Sequence, residues 1–319
     1  MSDLEVITDP LRAAELLRAG GLVAVPTETV YGLAAVASDP SAVARVYEVK
    51  GRPREHPLIV HIAEVEDLDI WARDIPPTAR QLAEACWPGP LTLLLLRSET
   101  VPDIVTGGRD TVAIRLPANE LTRTVIRFAG AIVAPSANLF GRVSPTTATH
   151  VVDDLTGALD ADRDAILDGG RCPVGIESTI VDCTCDPPVI LRPGGLTSED
   201  ITRLIGSLGV DPGPSRASGM LAHHYAPRTP MRLVESDEPL PSELDQHQSG
   251  KQAIVVIDRS DDLVAYARDL YRLLREADQR GAELIIARLP AASGLGLAIR
   301  DRLGKAAASP PANHQPTTD

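Results

Sequence analysis

The chain has 319 residues, long for one core and suited to two α/β units of roughly 100 to 200 residues each. Its 44% hydrophobic and 24% charged residues are those of an ordinary globular protein, and its most leucine-dense stretch, Leu91 to Leu96, is far too short for a bilayer span. A net charge of −13 with two Phe, two Trp and five Tyr excludes the basic stripe and stacking aromatics of a dedicated nucleic-acid binder, so any RNA connection is expected to be indirect.

The N-terminus is acidic and leads into a helix-like segment without the basic start and apolar run of a signal peptide, which points to the cytoplasm. Asp9-Pro10 opens a helical pattern that Gly20-Gly21 closes, and Leu22 to Val25, short and apolar between turn residues, reads as a buried strand. Asp39-Pro40 starts a second helix, running to about Val49. Leu58 to Ile62 reads as a strand, two helical segments follow to about Cys86, and Leu91 to Leu96, Thr111 to Leu116 and Ala131 to Ala134 read as further core strands.

A helix is expected from about Thr147 to Leu155, strands near 178–182 and 189–191, and a helix from Ser198 to about Leu208. This interleaving predicts an α/β fold, a twisted mixed sheet with helices packed on it, over residues 1–208. The turn-rich stretch after Gly209 is a boundary, with 209–230 as a linker. A smaller Rossmann-like α/β domain is expected over 231–308, built from strands at 253–257 and 284–287, a strong helix from Asp262 to Asp278 and another near Leu295 to Leu303. Residues 239–251 read as loop, and 309–319 as a disordered tail.

Residues able to do chemistry gather after the predicted strands, the edge where α/β sheets usually bind ligands. Thr27, Glu28 and Thr29 follow the first strand, although threonines also satisfy local turns. Lys50-Gly51-Arg52-Pro53-Arg54 offers a point charge and two guanidinium forks suited to polyphosphate, or a solvated cluster complementing a helix end. Lys50 is the sole lysine before Lys251, which suggests that it is there for its chemistry.

His61 ends a strand, with His56 before the same strand; either could be structural. Thr111 and Arg115 share one strand face, where Arg115 could clamp a carboxylate or form a structural ion pair. Ser136 and Asn138 follow Ala134 at a strand end. Ser144 precedes a helix whose first-turn amides could hold an anion, or serves as its N-cap. Glu177, Ser178 and Arg192 flank two further strands. The cysteines, Cys86, Cys172, Cys183 and Cys185, lack zinc-type spacing and read as reduced and mostly buried, with Cys183 and Cys185 on one strand face.

In this order, PTETVYGL at 26–33, KGRP at 50–53 with PLIVHI at 57–62, WPGPLTLLL at 87–95, TVAIRLP at 111–117, APSAN at 134–138, STIVD at 178–182 and LRPGG at 191–195 resemble the YrdC-type threonylcarbamoyl-AMP synthases. Ser218-Gly219-Met220 and His224-Tyr225-Ala226-Pro227 look like the linker motif of the family's long form. The resemblance implies that L-threonine lies near Thr27 or Thr29, His61, Arg115, the backbone at Ala134, and Ser178. It implies that ATP meets Lys50, Arg52, His56, Thr111, Ser136, Ser144, Arg192 and Tyr225, with Lys50 and Arg52 catalytic. The family commonly carries asparagine at the position of His56.

The implied activity forms threonylcarbamoyl-AMP and pyrophosphate from L-threonine, bicarbonate and ATP with Mg²⁺, without a covalent enzyme intermediate or a metal held directly by the protein. The product would pass to a tRNA threonylcarbamoyl-transferase, with little direct tRNA binding and no membrane, and the linker would fold over the site as a lid. Two other readings are a carbamoyl-transferring maturation enzyme, whose acylphosphatase-like and zinc-finger regions are not seen, and a non-catalytic RNA-binding translation module, which the acidic charge disfavours.

Overall fold

The computed structural model describes residues 4–210, 224–240 and 254–308. The Ser218-Gly219-Met220 motif, most of the 239–251 loop and the 309–319 tail lie outside the described residues. β1 (Glu5–Ile7) is followed by α1 (Pro10–Arg18), whose start is set by the Asp9 carboxylate accepting from Leu11 N at 2.9 Å, with Pro10 fitting the first turn. β2 (Val23–Val25) and β3 (Gly32–Val36) pair antiparallel around the 26–31 turn. α2 (Pro40–Lys50) repeats the Asp-Pro start, Asp39 accepting from Ser41 N and Ala42 N, and Lys50 closes the helix instead of following it.

Next come β4 (Ile59–His61), α3 (Leu68–Trp71), β5 (Ala72–Arg73), α4 (Pro77–Cys86) and β6 (Leu91–Arg97). They are followed by α5 (Asp103–Thr106), β7 (Thr111–Arg115), α6 (Glu120–Ala129), β8 (Ile132–Val133) and α7 (Ala148–Leu155). β9 (Ala165–Leu167), β10 (Thr179–Asp182), β11 (Val189–Arg192) and α8 (Ser198–Ile205) complete the first unit. Its sheet has 11 strands in the order β1-β9-β2-β3-β8-β4-β7-β6-β10-β11, with β5 attached to β6. Parallel pairs (β1 with β9, β9 with β2, β4 with β7, β6 with β10) are interspersed with antiparallel ones, so the sheet is mixed as expected.

Both faces of the sheet are buried, because the strands alternate between two cores. Leu22 and Ala24 join the core that receives Leu33, Ala35, α2 and α4, whereas Val23 and Val25 join the opposite core under α1 and α6. Near-continuous apolar strands follow from this arrangement. α8 also packs on the first core through Ile201, with Gln81 Nε2 donating to Leu204 O at 2.8 Å.

The second unit is a three-stranded parallel sheet, β12 (Met231–Val234), β14 (Leu284–Arg288) and β13 (Ile254–Ile257) in that order, with α9 (Leu263–Gln279) crossing between β13 and β14 and α10 (Leu295–Ala308) following. Its core takes in Val30, Val143 and Ile176 of the first unit and Tyr225 of the linker, so the two units share apolar packing. No helix among the described residues is long and apolar enough to cross a membrane.

Several elements went unread in the sequence: β1, β3, β5, α5, α6, β9 and β12. One reading is corrected: β10 ends at Asp182, so Cys183 and Cys185 lie in the turn beyond it and do not share a strand face. All four cysteines are free.

Candidate active site

A cavity of about 60 Å³ opens where the 26–31 turn, β4, β7, the segment after β8 and the ends of the β10–β11 hairpin converge. Two close backbone approaches shape it. Gly32 lies against the segment after β8, and a Cβ there would stand 2.9 Å from the Ala134 Cβ; Gly194 lies against the segment leading into β10, and a Cβ there would be 2.4 Å from Glu177 O. Only glycine permits these contacts, which explains the glycines in the YGL and RPGG segments.

On one wall, β4 and β7 run parallel with His61 in register with Arg115. Arg115 is 4% exposed: its guanidinium pairs with Glu28 at 2.7 Å, donates to Thr29 Oγ1 at 2.9 Å and to Gly89 O at 3.3 Å. The other Glu28 oxygen accepts from Ala118 N at 3.0 Å. Burial, then the positive charge of Arg115, hold His61 down to a pKa of about 3, so its ring is neutral. His61 Nδ1 lies 3.1 Å from Ile59 O, a contact that only the protonated nitrogen can make, leaving Nε2 as an acceptor.

Thr29 lines the cavity, but Thr27 is absorbed by the turn. Its hydroxyl donates to Val30 O at 2.6 Å and accepts from Thr29 N at 3.1 Å and Val30 N at 3.2 Å. The local turn role that a threonine offers therefore falls to Thr27, and the cavity-facing role to Thr29.

The rest of the cavity wall is formed by Arg52, Ser136, Glu177, Ser178, Arg192, His224 and Tyr225, with Ala134 and Pro135. Arg192 donates through Nε and Nη2 to Ser178 O at 3.1 and 2.9 Å, and through Nη2 to Ser178 Oγ at 3.1 Å. Ser178 Oγ is also 2.7 Å from Thr92 Oγ1. Arg52 donates to His56 O at 3.3 Å and Pro57 O at 3.1 Å, and lies 5.7 Å from the Phe140 ring centroid; burial lowers its pKa to about 10. Lys50, wholly buried behind this wall, donates to the carbonyls of Ser136 and Asn138, and burial followed by Arg52 drives its pKa well below the usual lysine range.

Other expected residues sit farther back. Ser144 is not an N-cap: Thr147 accepts from His150 N to cap α7, and Ser144 Oγ instead donates to Glu177 Oε1 at 2.7 Å. His56 does not line the cavity and packs against Phe140 at 5.5 Å. Thr111 begins β7, at the opposite strand end from Arg115, and is likewise outside the cavity lining.

Two lining residues had been quoted without a role. Glu177, beside Ser178, is buried and accepts from Ser144, from Tyr271 Oη at 2.7 Å and from Arg302 Nε at 2.7 Å. Burial raises its pKa, but Arg302, Arg192 and these hydrogen bonds outweigh burial and hold it at about 2. His224 is buried with its pKa lowered to about 3, chiefly by burial, and its ring meets Tyr225 edge-on at 4.1 Å. The acidic neighbour of Ser178 and the histidine of the HYAP segment were the available sequence signals.

A larger cleft of about 350 Å³ between the units, lined by Arg142, Asp154, Arg228, Arg275 and Asp278 among others, contains none of the residues expected to act. Among the described residues no group of three or more His, Cys, Asp or Glu is placed to hold a metal ion.

Comparison with known proteins bears directly on this site. Residues 15–194 match the Sua5, YciO and YrdC family model described as "Telomere recombination", and residues 196–308 match "Threonylcarbamoyl-AMP synthase, C-terminal domain". The chain is 42% identical to a threonylcarbamoyl-AMP synthase of Pyrococcus abyssi, over 92% of each chain, and 41% identical to one of Bacillus subtilis, over 93% of this chain and 92% of that one. The crystal structure of P. abyssi Sua5 complexed with L-threonine superposes with a TM-score of 0.86 at 39% identity, covering 96% of this chain and 98% of that one.

Proposed function

The chain belongs to the threonylcarbamoyl-AMP synthase family, and on that premise we propose that it condenses L-threonine, bicarbonate and ATP into threonylcarbamoyl-AMP, releasing pyrophosphate and water. The observation that supports this reading is one cavity lined both by Arg115, Thr29 and His61, suited to an amino acid, and by Arg52, Ser136 and Arg192, suited to a polyphosphate. Arg115 and Thr29 offer charge and hydroxyl to an amino-acid carboxylate, and the bare Nε2 of His61 accepts a hydrogen bond from its hydroxyl or amine. Ser178 and the Ala134 backbone close that side.

The threonine amine takes up bicarbonate to form a carbamate with loss of water. A carbamate oxygen then attacks the α-phosphorus of ATP, and the bond to the bridging oxygen breaks to release pyrophosphate. No side-chain nucleophile is consumed. Arg52 and Arg192 supply positive charge where the polyphosphate develops its own negative charge, Lys50 holds the Ser136 and Asn138 carbonyls behind them, and the cavity walls hold the reacting anions in line.

Mg²⁺ bound with the polyphosphate would neutralise part of its charge. The carboxylates at the cavity, Glu28 and Glu177, are already committed to Arg115 and to Arg302 with Tyr271, so the donor set suits a metal held by phosphate and water. Because the cavity is far smaller than ATP, the His224–Tyr225 segment must withdraw for the nucleotide and return over the labile carbamate. The product serves the threonylcarbamoylation of adenosine in tRNA, delivered in the cytoplasm to a separate transferase.

The reading is tested by pyrophosphate release from the purified chain with ATP, Mg²⁺ and bicarbonate. Release should require L-threonine and be lost in Lys50→Ala with its melting temperature checked. Release that ignores threonine would sink the proposal.

A further inference from the structure

Arg302 of α10 is fully buried and reaches from the second unit to the back of the nucleotide wall. Its Nε donates to Glu177 Oε2 at 2.7 Å, its Nη2 donates to Pro193 O at 3.0 Å, and its Nη1 donates to Asp301. The guanidinium carbon lies 5.3 Å from the Tyr225 ring centroid. Tyr225 is stacked at 5.5 Å on Tyr271 and has a φ of 63°, a left-handed conformation that a non-glycine residue keeps only where its surroundings enforce it.

These contacts bracket the site residues. Glu177 precedes Ser178 in the chain, Pro193 follows Arg192, and Arg192 is bonded to Ser178. One guanidinium therefore ties down the neighbours of both. Glu177 is 7% exposed, and a buried carboxylate must find a cation. Arg192 is the other cation acting on it. Without Arg302, Glu177 would turn to Arg192 and cancel charge intended for the polyphosphate.

We propose that Arg302, seconded by Tyr271, is a positioning residue of the adenylation reaction: by neutralising Glu177 it keeps Arg192 directed at the nucleotide. The second unit thereby completes the catalytic unit's phosphate wall. This rests on the synthase reading above, and it assigns the C-terminal domain a part in nucleotide binding beyond carrying the linker.

Calorimetric titration of the full chain with ATP, and separately with L-threonine, tests it in wild type, Arg302→Met, Tyr271→Phe and the double variant Glu177→Gln/Arg302→Met. Loss of one charge-assisted contact at this wall predicts a rise of about ten-fold in the ATP dissociation constant for Arg302→Met. Tyr271→Phe should show a smaller rise, threonine binding should stay within about two-fold, and the double variant should recover ATP affinity, since the stray carboxylate is gone. A purely structural role would lower the melting temperature and leave this substrate selectivity absent.

Unchanged or tighter ATP binding by folded Arg302→Met, or equal weakening for both substrates, overturns the proposal. Where Arg302→Met does not fold, Tyr271→Phe, which deletes one hydroxyl, decides by the same criterion. Failure of the wild type to bind ATP at all would instead bring down the synthase reading, and this inference with it.

Discussion

The two walls of the cavity are built differently. The wall proposed for threonine is internal to the first unit: His61 and Arg115 are neighbours in register on parallel β4 and β7, and Thr29 and Glu28 sit on the turn that links β2 to β3. The wall proposed for the nucleotide is assembled across the units. Ser144, Glu177 and Arg192 come from the first, Tyr225 from the linker, and Tyr271 and Arg302 from the second. Sheet register fixes one side and domain docking fixes the other, so damage to the second unit should reach one substrate before the other.

The heaviest blow to this contrast is Arg115→Met. It should lower threonine-dependent pyrophosphate release by about 100-fold or more, with the loss seen in threonine binding, as expected when a buried charged partner of a substrate is removed. It also strands the buried Glu28, so a denaturant melt should show a loss of about 3–5 kcal/mol. Weakened ATP binding with intact threonine binding would reverse the assignment of the walls. Next in size is the ten-fold, ATP-selective effect of Arg302→Met, which sharpens the comparison from the other side.

A smaller effect concerns acid stability, where the walls should behave alike. His61, His224 and, on the buried face of α7, His150 have folded pKa values of about 3, 3 and 4, lowered chiefly by burial, against an ordinary 6.5. Folding keeps them neutral, so the unfolded chain binds more protons below pH 6.5. Their contribution is complete above that pH and is lost as the pH falls toward 3 to 4, with a slope of up to about 1.4 kcal/mol per pH unit for each histidine. Urea melts between pH 7 and 4 should show this decline, and His150→Gln should flatten part of it. A flat profile would mean that these rings are solvated.

Much of the first unit was legible because its strands are fully buried and read as apolar runs; Leu91 to Leu96 became β6 with a one-residue extension. The Asp-Pro starts at 9–10 and 39–40 carried their own capping chemistry. Three-residue strands such as β1 and β9 pair with each other over more than 150 positions, and no local period marks them. α6 is different, since Asn119 caps it and Leu121, Val125 and Ile126 recur at helical spacing, so its signal was present and unread.

The site divides the same way. Thr29, His61 and Arg115 stand at the ends of strands or turns that the sequence displays. Glu177 gains its partner from Arg302, 125 positions away, and Lys50 gains its carbonyl partners from a segment 86 to 88 positions away. Such pairings belong to tertiary structure alone. Thr27 and Thr29 were indistinguishable by type and spacing, and only the 26–31 turn separates them.

The most direct test of the account follows carbon. The purified chain, given radiolabelled bicarbonate, ATP, Mg²⁺ and L-threonine, should place label in an adenylate with one pyrophosphate released per label, and should do neither without threonine. Label absent from the nucleotide product, or pyrophosphate released equally without threonine, would contradict it.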